Sequence, residues 1–248
     1  MVALSINLNK IALIRNSREG SYPNVISHAQ LCIDEGVEGI TVHPRPDQRH
    51  IRPIDVRQLH QLVSPLSTVE LNIEGNPFAP SLGDYPGFIE LVKESKPEQC
   101  TLVPDKNDQL TSDHGFDLNI TGEQLMPIIQ DLKAQGIRIA LFMDPDPVQI
   151  RLAADLGADR VELYTGPYAA AWGTRNLDSI FQRHLAAAEL ATSLGMGVNA
   201  GHDLNLDNLT KFASIPNLLE VSIGHAFTVD SLAMGMTNAL RAYKTLLR

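Results

Sequence analysis

Eight short β-type runs recur along the chain, each separated from the next by a stretch of helical period, and this alternation constrains the fold more than any single motif. The runs are Leu4–Leu8, Gly39–His43, Val69–Ile73, Gln99–Val103, Arg138–Met143, Arg160–Leu163, Gly197–Ala200 and Glu220–Ile223. Between them, Val25, Ala29, Cys32 and Ile33 mark a helix face that stops at Gly36. Val148, Leu152 and Leu156 do the same before Gly157, and Leu177, Phe181 and Leu185 mark a third helix that ends near Gly195. Repetition of this kind builds a parallel sheet with helical crossovers. The 248 residues divide into eight units of about 31 residues, close to the ~30 of a βαβ module, with no Ser/Gly/Pro linker tract among them. The economical fold is α/β, a (β/α)8 TIM barrel, with residues 1–248 as a single domain carrying extra short helices. A doubly wound open sheet shows the same alternation, but it usually carries G-x-G-x-x-G after its first strand. Here Asn9-Lys10-Ile11-Ala12 follows instead.

Composition removes several classes of function. The chain is 44% hydrophobic and 20% charged, an ordinary globular balance. Twenty Lys+Arg against 29 Asp+Glu leave a formal net charge of −9, so no global field gathers nucleic acid or an anionic membrane. An anionic substrate must be captured by a local site. Cys32 and Cys100 lie far apart in apolar runs and suggest neither a disulfide framework nor a metal knuckle, which fits a reducing cytoplasm. The first ten residues alternate apolar and polar and lack a basic leader, so they read as a strand that opens the fold. No apolar run approaches the ~20 residues of a membrane span.

In such a barrel the C-terminal strand ends converge on one mouth, which is where catalysis resides. The residues expected there are Asn7, Asn9 and Lys10 from strand one, His43 and Arg45 from strand two, and Asn72 and Glu74 from strand three. Glu162 on strand six, Asn199 and His202 from strand seven, and Gly224 and His225 from strand eight complete the set. Three histidines and two glutamates without an adjacent serine or cysteine nucleophile point to proton transfer at carbons next to a carbonyl. Glu74 follows an apolar run, where partial desolvation raises a carboxyl pKa toward neutrality; a fixed ion pair with an arginine is the bland alternative. Gly201-His202 and Gly224-His225 sit where barrels often bind phosphate through backbone N–H groups. Arg18, Arg45, Arg49 and His50 add cations to two loops on the same face, enough for a second phosphate. The polar stretch from Pro104 to Thr121 is expected to be a long loop on that face, acting as a lid. Competing uses remain at this point: a metal site built from His43, Glu74, His202 and His225, or a Schiff-base lysine at Lys10.

Six segments carry a family resemblance. Val42-His-Pro-Arg-Pro-Asp-Gln-Arg-His-Ile51, Leu71-Asn-Ile-Glu-Gly-Asn-Pro77, Thr101-Leu-Val-Pro-Asp105, Val161-Glu-Leu-Tyr-Thr-Gly-Pro-Tyr-Ala169, Val198-Asn-Ala-Gly-His202 and Ser222-Ile-Gly-His-Ala226 resemble the pyridoxine 5′-phosphate synthase family, in order and over nearly the whole chain. The resemblance implies an α/β barrel that needs no metal and no cofactor and works as a homo-oligomer, an octamer arranged as a tetramer of dimers. It implies condensation of two phosphorylated small molecules, 1-deoxy-D-xylulose 5-phosphate and 3-amino-2-oxopropyl phosphate, to pyridoxine 5′-phosphate, phosphate and water. By the same resemblance His43 is the first proton acceptor, Glu74 the acid–base glutamate, His202 the proton donor and Glu162 the carboxylate that steadies the transition state. Asn7, Arg18, Gly224 and His225 fall where the family holds the aminoketone phosphate, and Arg45, His50 and Thr111 where it holds the deoxyxylulose phosphate.

Three positions depart from the family pattern. Asn9-Lys10 stands where Asp-His is usual, Asp203 replaces the glycine after His202, and Tyr164 replaces a histidine before Thr-Gly. Lys10 keeps a cation at its position. Asp203 adds negative charge beside a phosphate site unless it caps a helix running through Leu204–Leu209. These substitutions leave open a phosphosugar-binding paralogue without catalysis, or a metal-dependent phosphosugar epimerase or aldolase on the same barrel.

Overall fold

A computed structural model describes residues 2–248; Met1 lies outside the described residues. Eight parallel strands close into a barrel in sequence order, β1 pairing with both β2 and β8. They are β1 (Ala3–Asn7), β2 (Gly39–Val42), β3 (Glu70–Gly75), β4 (Gln99–Leu102), β5 (Arg138–Met143), β6 (Arg160–Tyr164), β7 (Gly197–Gly201) and β8 (Leu218–Ile223). All eight predicted runs are strands, with ends displaced by at most two residues and Arg138–Met143 matched at both ends. Glu74 therefore lies within β3 rather than beyond it.

The helices that cover the barrel begin where a side chain can accept the free N–H groups of a first turn. Asn24 caps α2 (Val25–Asp34) through Ser27 N at 2.9 Å. Asp117 caps α5 (Leu118–Ala134), and Asp146, followed by Pro147 in the first turn, caps α6 (Pro147–Asp155). Gly36 and Gly157, at φ 79° and 81°, turn the chain out of α2 and α6 in a conformation that favours glycine. The other long crossover helices are α3 (Pro53–Val63), α4 (Phe88–Ser95) and α8 (Leu177–Ser193); α10 (His225–Met234) and α11 (Met236–Leu246) close the chain. Short additional helices are α1 (Asn9–Asn16), α7 (Gly166–Ala170) and α9 (Leu209–Ala213). No helix among the described residues is long and apolar enough to cross a membrane.

Two sequence expectations change here. The connection after β4 ends at Asp117, four residues sooner than expected, because Asp117 caps α5 and the helix starts at Leu118. Asp203 caps no helix: α9 begins at Leu209, and Asn208 binds the Asp203 carbonyl through its side chain at 3.1 Å.

The barrel has an unusual interior. Leu4, Ile6, Ile40, Leu71, Ile73, Cys100, Val161 and Val198 are buried in the apolar core that the strands share with the helices. The alternate positions are polar and face one another across the lumen. Ser5 Oγ lies 2.7 Å from Thr41 Oγ1, Thr101 donates to Asn72 at 3.0 Å, and Asn199 donates to Gln99 at 3.2 Å from the opposite side. Below them Arg160 donates to Asn199 at 3.0 Å and lies 3.7 Å from Glu220. Branched apolar residues fill the usual barrel of this kind; here hydrogen-bonded polar layers do so. These hydrogen bonds make the buried polar side chains tolerable, although Gln99 Nε2 is left without a partner.

Candidate active site

The C-terminal ends of the strands surround a cavity of about 360 Å³. His43 follows β2 and is buried; its backbone N–H donates to Asn9 Oδ1 at 2.9 Å, and Asn9 N–H donates to Asn7 Oδ1 at 2.9 Å. Asn7 Nδ2 in turn donates to Glu74 Oε2 at 3.4 Å. The His43 ring stands between two carboxylates, with Nδ1 3.9 Å from Glu74 Oε2 and Nε2 3.7 Å from Asp105 Oδ2. Burial pulls the His43 imidazole well below its ordinary range, helped by Arg45, His50, His202 and Arg49. A neutral base results.

The carboxyls shift the other way. Burial, with the charges of Glu162, Asp105 and Glu220, pushes Glu74 well above the carboxylate range. Burial and the Glu220 charge push Glu162 up to about 8. Burial thus disfavours the charged form of both carboxyls, while His43 is held neutral and can accept a proton. Environments that separate acid from base in this way are characteristic of proton-transfer sites.

His202 follows β7 with φ 90°, and Asp203 follows at φ 57°. Side-chain residues are uncommon in this region, and such strain concentrates at functional sites. Two rings hold the imidazole edge-on: Tyr164 with centroids 5.5 Å away and Phe142 at 6.0 Å. Thr111 Oγ1 lies 3.4 Å from Nε2, and Asp203 Oδ2 lies 3.7 Å from Nδ1. The contact with His202 holds the Asp203 carboxyl below its usual range. Gly201 is required by the site, because a Cβ there would run into the Glu162 carboxylate.

The loop between β4 and α5 lies against this mouth and is held by arginines. Arg45 donates to Gln109 O at 3.4 Å; Arg49 donates to Gln109 O at 2.9 Å and Asn107 O at 2.7 Å. His50 is buried, and its Nδ1 accepts from Ile51 N–H at 2.9 Å. Burial and the neighbouring cations Arg45, Arg49 and Lys10 lower His50 to about 3, so it is neutral and presents Nε2–H as a donor. At the β8 end, Gly224 precedes α10, whose first residue is His225, and a helix start of this kind presents N–H groups to an anion.

Asn7, Asn9, Lys10, His43, Arg45, His50, Glu74, Thr111, Glu162, His202, Asp203, Gly224 and His225 all line the one cavity. Arg18 does not: it is exposed beyond the end of α1. Asn72 and Asn199, expected at the mouth, lie one layer deeper and bind lumen partners. Arg49, Phe142, Ser112 and Ser222 also line the cavity; of these only Arg49 stood out in the sequence. Asp105 was legible only as the acid that closes a strand-plus-proline motif. Tyr164 stood out only as a departure from a family histidine, and Phe142 reads as an ordinary strand aromatic. Among the described residues no group of three or more His, Cys, Asp or Glu side chains is placed to hold a metal ion.

Comparisons with known proteins agree along the full length. The family model described as "Pyridoxal phosphate biosynthesis protein PdxJ" matches residues 4–248. A pyridoxine 5′-phosphate synthase of Xanthomonas axonopodis pv. citri is 52% identical over 246 residues, covering 99% of this chain and 96% of the relative. One of Xylella fastidiosa is 48% identical over 245 residues, covering 98% and 94%. Among solved structures, a thiamine phosphate pyrophosphorylase from Pyrococcus furiosus superposes with TM-score 0.60 at 10% identity, covering 99% of this chain and 95% of the other. A phosphoribosyl anthranilate isomerase from Thermus thermophilus gives 0.58 at 14% identity, covering 99% and 98%. These two likenesses are of fold alone.

Proposed function

Because the chain belongs to the family described as pyridoxal phosphate biosynthesis protein PdxJ, we propose that it is a pyridoxine 5′-phosphate synthase of vitamin B6 biosynthesis. It condenses 1-deoxy-D-xylulose 5-phosphate with 3-amino-2-oxopropyl phosphate and releases pyridoxine 5′-phosphate, phosphate and water. The observation that carries this reading is the convergence of His43, Glu74, Glu162 and His202 on one cavity, where burial keeps the His43 imidazole neutral and disfavours the charged form of the two carboxyls.

The chemistry needs protons moved at several atoms in turn: imine formation, enolisation, loss of phosphate and aldol-type closure. His43 takes the first proton from carbon. Glu74, 3.9 Å from His43 Nδ1 and raised above the carboxylate range by burial, gives and recovers protons at the carbonyl oxygens. His202 donates to the leaving oxygen, and Glu162 steadies the charge that develops in the ring-forming step. Asn7, Gly224 and His225 hold the aminoketone phosphate; Arg45, His50 and Thr111 hold the deoxyxylulose phosphate, with Lys10 as a further cation beside them. The loop after β4 serves as lid. No metal or cofactor enters these steps. The enzyme works in the cytoplasm as a homo-oligomer built from dimers, an octamer. The exposed apolar side chains Leu13 and Ile14 on α1 and Val229 and Leu232 on α10, two helices that pack together, support such an assembly.

Purified protein given both substrates is expected to form pyridoxine 5′-phosphate with equimolar phosphate, equally with and without a strong chelator. The Glu74→Gln variant keeps substrate binding and loses turnover. Ligand binding without consumption by the unaltered protein would instead identify a phosphosugar-binding paralogue.

A further inference from the structure

Beyond β4 the chain delivers Val103, Pro104 and Asp105 to the rim of the barrel. The Asp105 residue is 3% exposed, an unfavourable place for a carboxylate unless donors face it. They do. Arg45 Nη2 and Ser112 Oγ both donate to Oδ2, the latter at 2.8 Å, and the Asp105 carbonyl accepts from Asn76 Nδ2 at 2.7 Å. His43 Nε2 lies 3.7 Å from the same Oδ2, and Oδ1 is buried without a hydrogen-bond partner. Asp105 therefore ties together the loops after β2, β3 and β4 behind the His43 ring.

We propose that Asp105 is a positioning residue for the synthase reaction: held by Arg45 and Ser112, it orients the His43 ring and supplies the counter-charge when His43 becomes an imidazolium. The inference rests on the functional reading above. When His43 takes a proton from substrate carbon, the electron pair stays on the substrate as an enolate, or as an enamine where the carbon flanks an iminium, and a positive charge appears on the imidazole inside a buried cluster. The groups facing that ring are Arg45, Arg49 and His50 from the loop after β2, Glu74 from β3, His202 from beyond β7, and Asp105. The arginines and the two imidazoles oppose the new charge. Glu74, whose charged form burial and the neighbouring carboxylates disfavour, offers less against them. Asp105, a carboxylate already accepting from a guanidinium, is the group that opposes their field at the other ring nitrogen.

Asp105→Asn preserves size and removes the charge. The expected result is a kcat at least tenfold lower, with KM for each substrate within threefold of the unaltered protein, and Asp105→Glu recovering a third or more of the lost kcat. A merely structural residue would move KM and thermal midpoint without this split. Histidine-selective ¹⁵N spectra, which need no turnover, should show the His43 imidazolium forming at least half a pH unit lower in Asp105→Asn. A folded variant with His43 titrating as before, or with kcat within twofold, overturns the assignment. If Asp105→Asn does not fold, the smaller Asp105→Ser carries the same comparisons; failure of both to fold overturns it too, because the residue is then structural. Absence of synthase turnover in the unaltered protein sinks the functional reading instead, and the histidine titration still decides what Asp105 does to His43.

Discussion

Glu162 illustrates how one residue's environment becomes a measurable property. Burial and the Glu220 charge hold its proton up to about 8, against a usual 4.5. Between those two pH values the folded chain binds more protons at this site than the unfolded chain, so stability contributed here is full below about 4.5 and falls as pH rises toward about 8. Gln cannot ionise. The Glu162→Gln variant should therefore lose less thermal stability than the unaltered protein between pH 5 and pH 8.5, read by differential scanning fluorimetry; parallel losses would show that the carboxyl is not held protonated. The sequence identified Glu162, Glu74 and His43 as candidates because acids and imidazoles at strand ends are uncommon. It did not identify Asp105, whose role depends on Arg45 and His43 approaching from 60 or more positions away.

At the scale of elements, the strands were legible to within two residues, since each is a short apolar-rich run set between stretches of helical period. Short helices were not. α1, α7 and α9 span at most eight residues and carry too little periodicity to be told from loops. The loop after β4 was recognised by its composition, but its anchoring was hidden. Gly115 N–H donates to Asp144 Oδ2 at 3.2 Å, Phe116 N–H donates to Phe142 O at 3.1 Å, and a Cβ on Gly115 would run into the backbone of Met143 and Asp144. Gly115→Ala should thus cost roughly 1–3 kcal/mol, the range for overpacking at a site that cannot give. Limited proteolysis should cut the loop between residues 104 and 117 faster in the variant; an unchanged cleavage rate would show that this anchor does not hold the loop.

For the whole molecule, the exposed side chains of α1 and α10 bear on assembly. Leu232 is 79% exposed, and a charge introduced there disturbs no barrel packing. If this face joins subunits, Leu232→Glu lowers the mass measured by light scattering while the circular dichroism spectrum stays the same. An unaltered mass would place the subunit contacts elsewhere. The polar lumen is likewise a property of the closed barrel. Asn199 on β7 meets Gln99 on β4, and Arg138 on β5 reaches Glu70 on β3, contacts that no pair of adjacent strands makes alone.

What the sequence determined by itself was the eightfold repeat, the set of acids, imidazoles and cations at strand ends, and the family those motifs resemble. These are local: residue type, period and order along the chain carry them. Tertiary structure alone decided which face of each strand looks inward. A period of two announces two faces but does not say which one the helices will cover. Closure resolved it, because the helices bury the apolar set outside and the polar set must then find partners across the lumen. The same closure put Asn72 and Asn199 a layer below the mouth, left Arg18 outside the cavity, and set Asp105 behind His43.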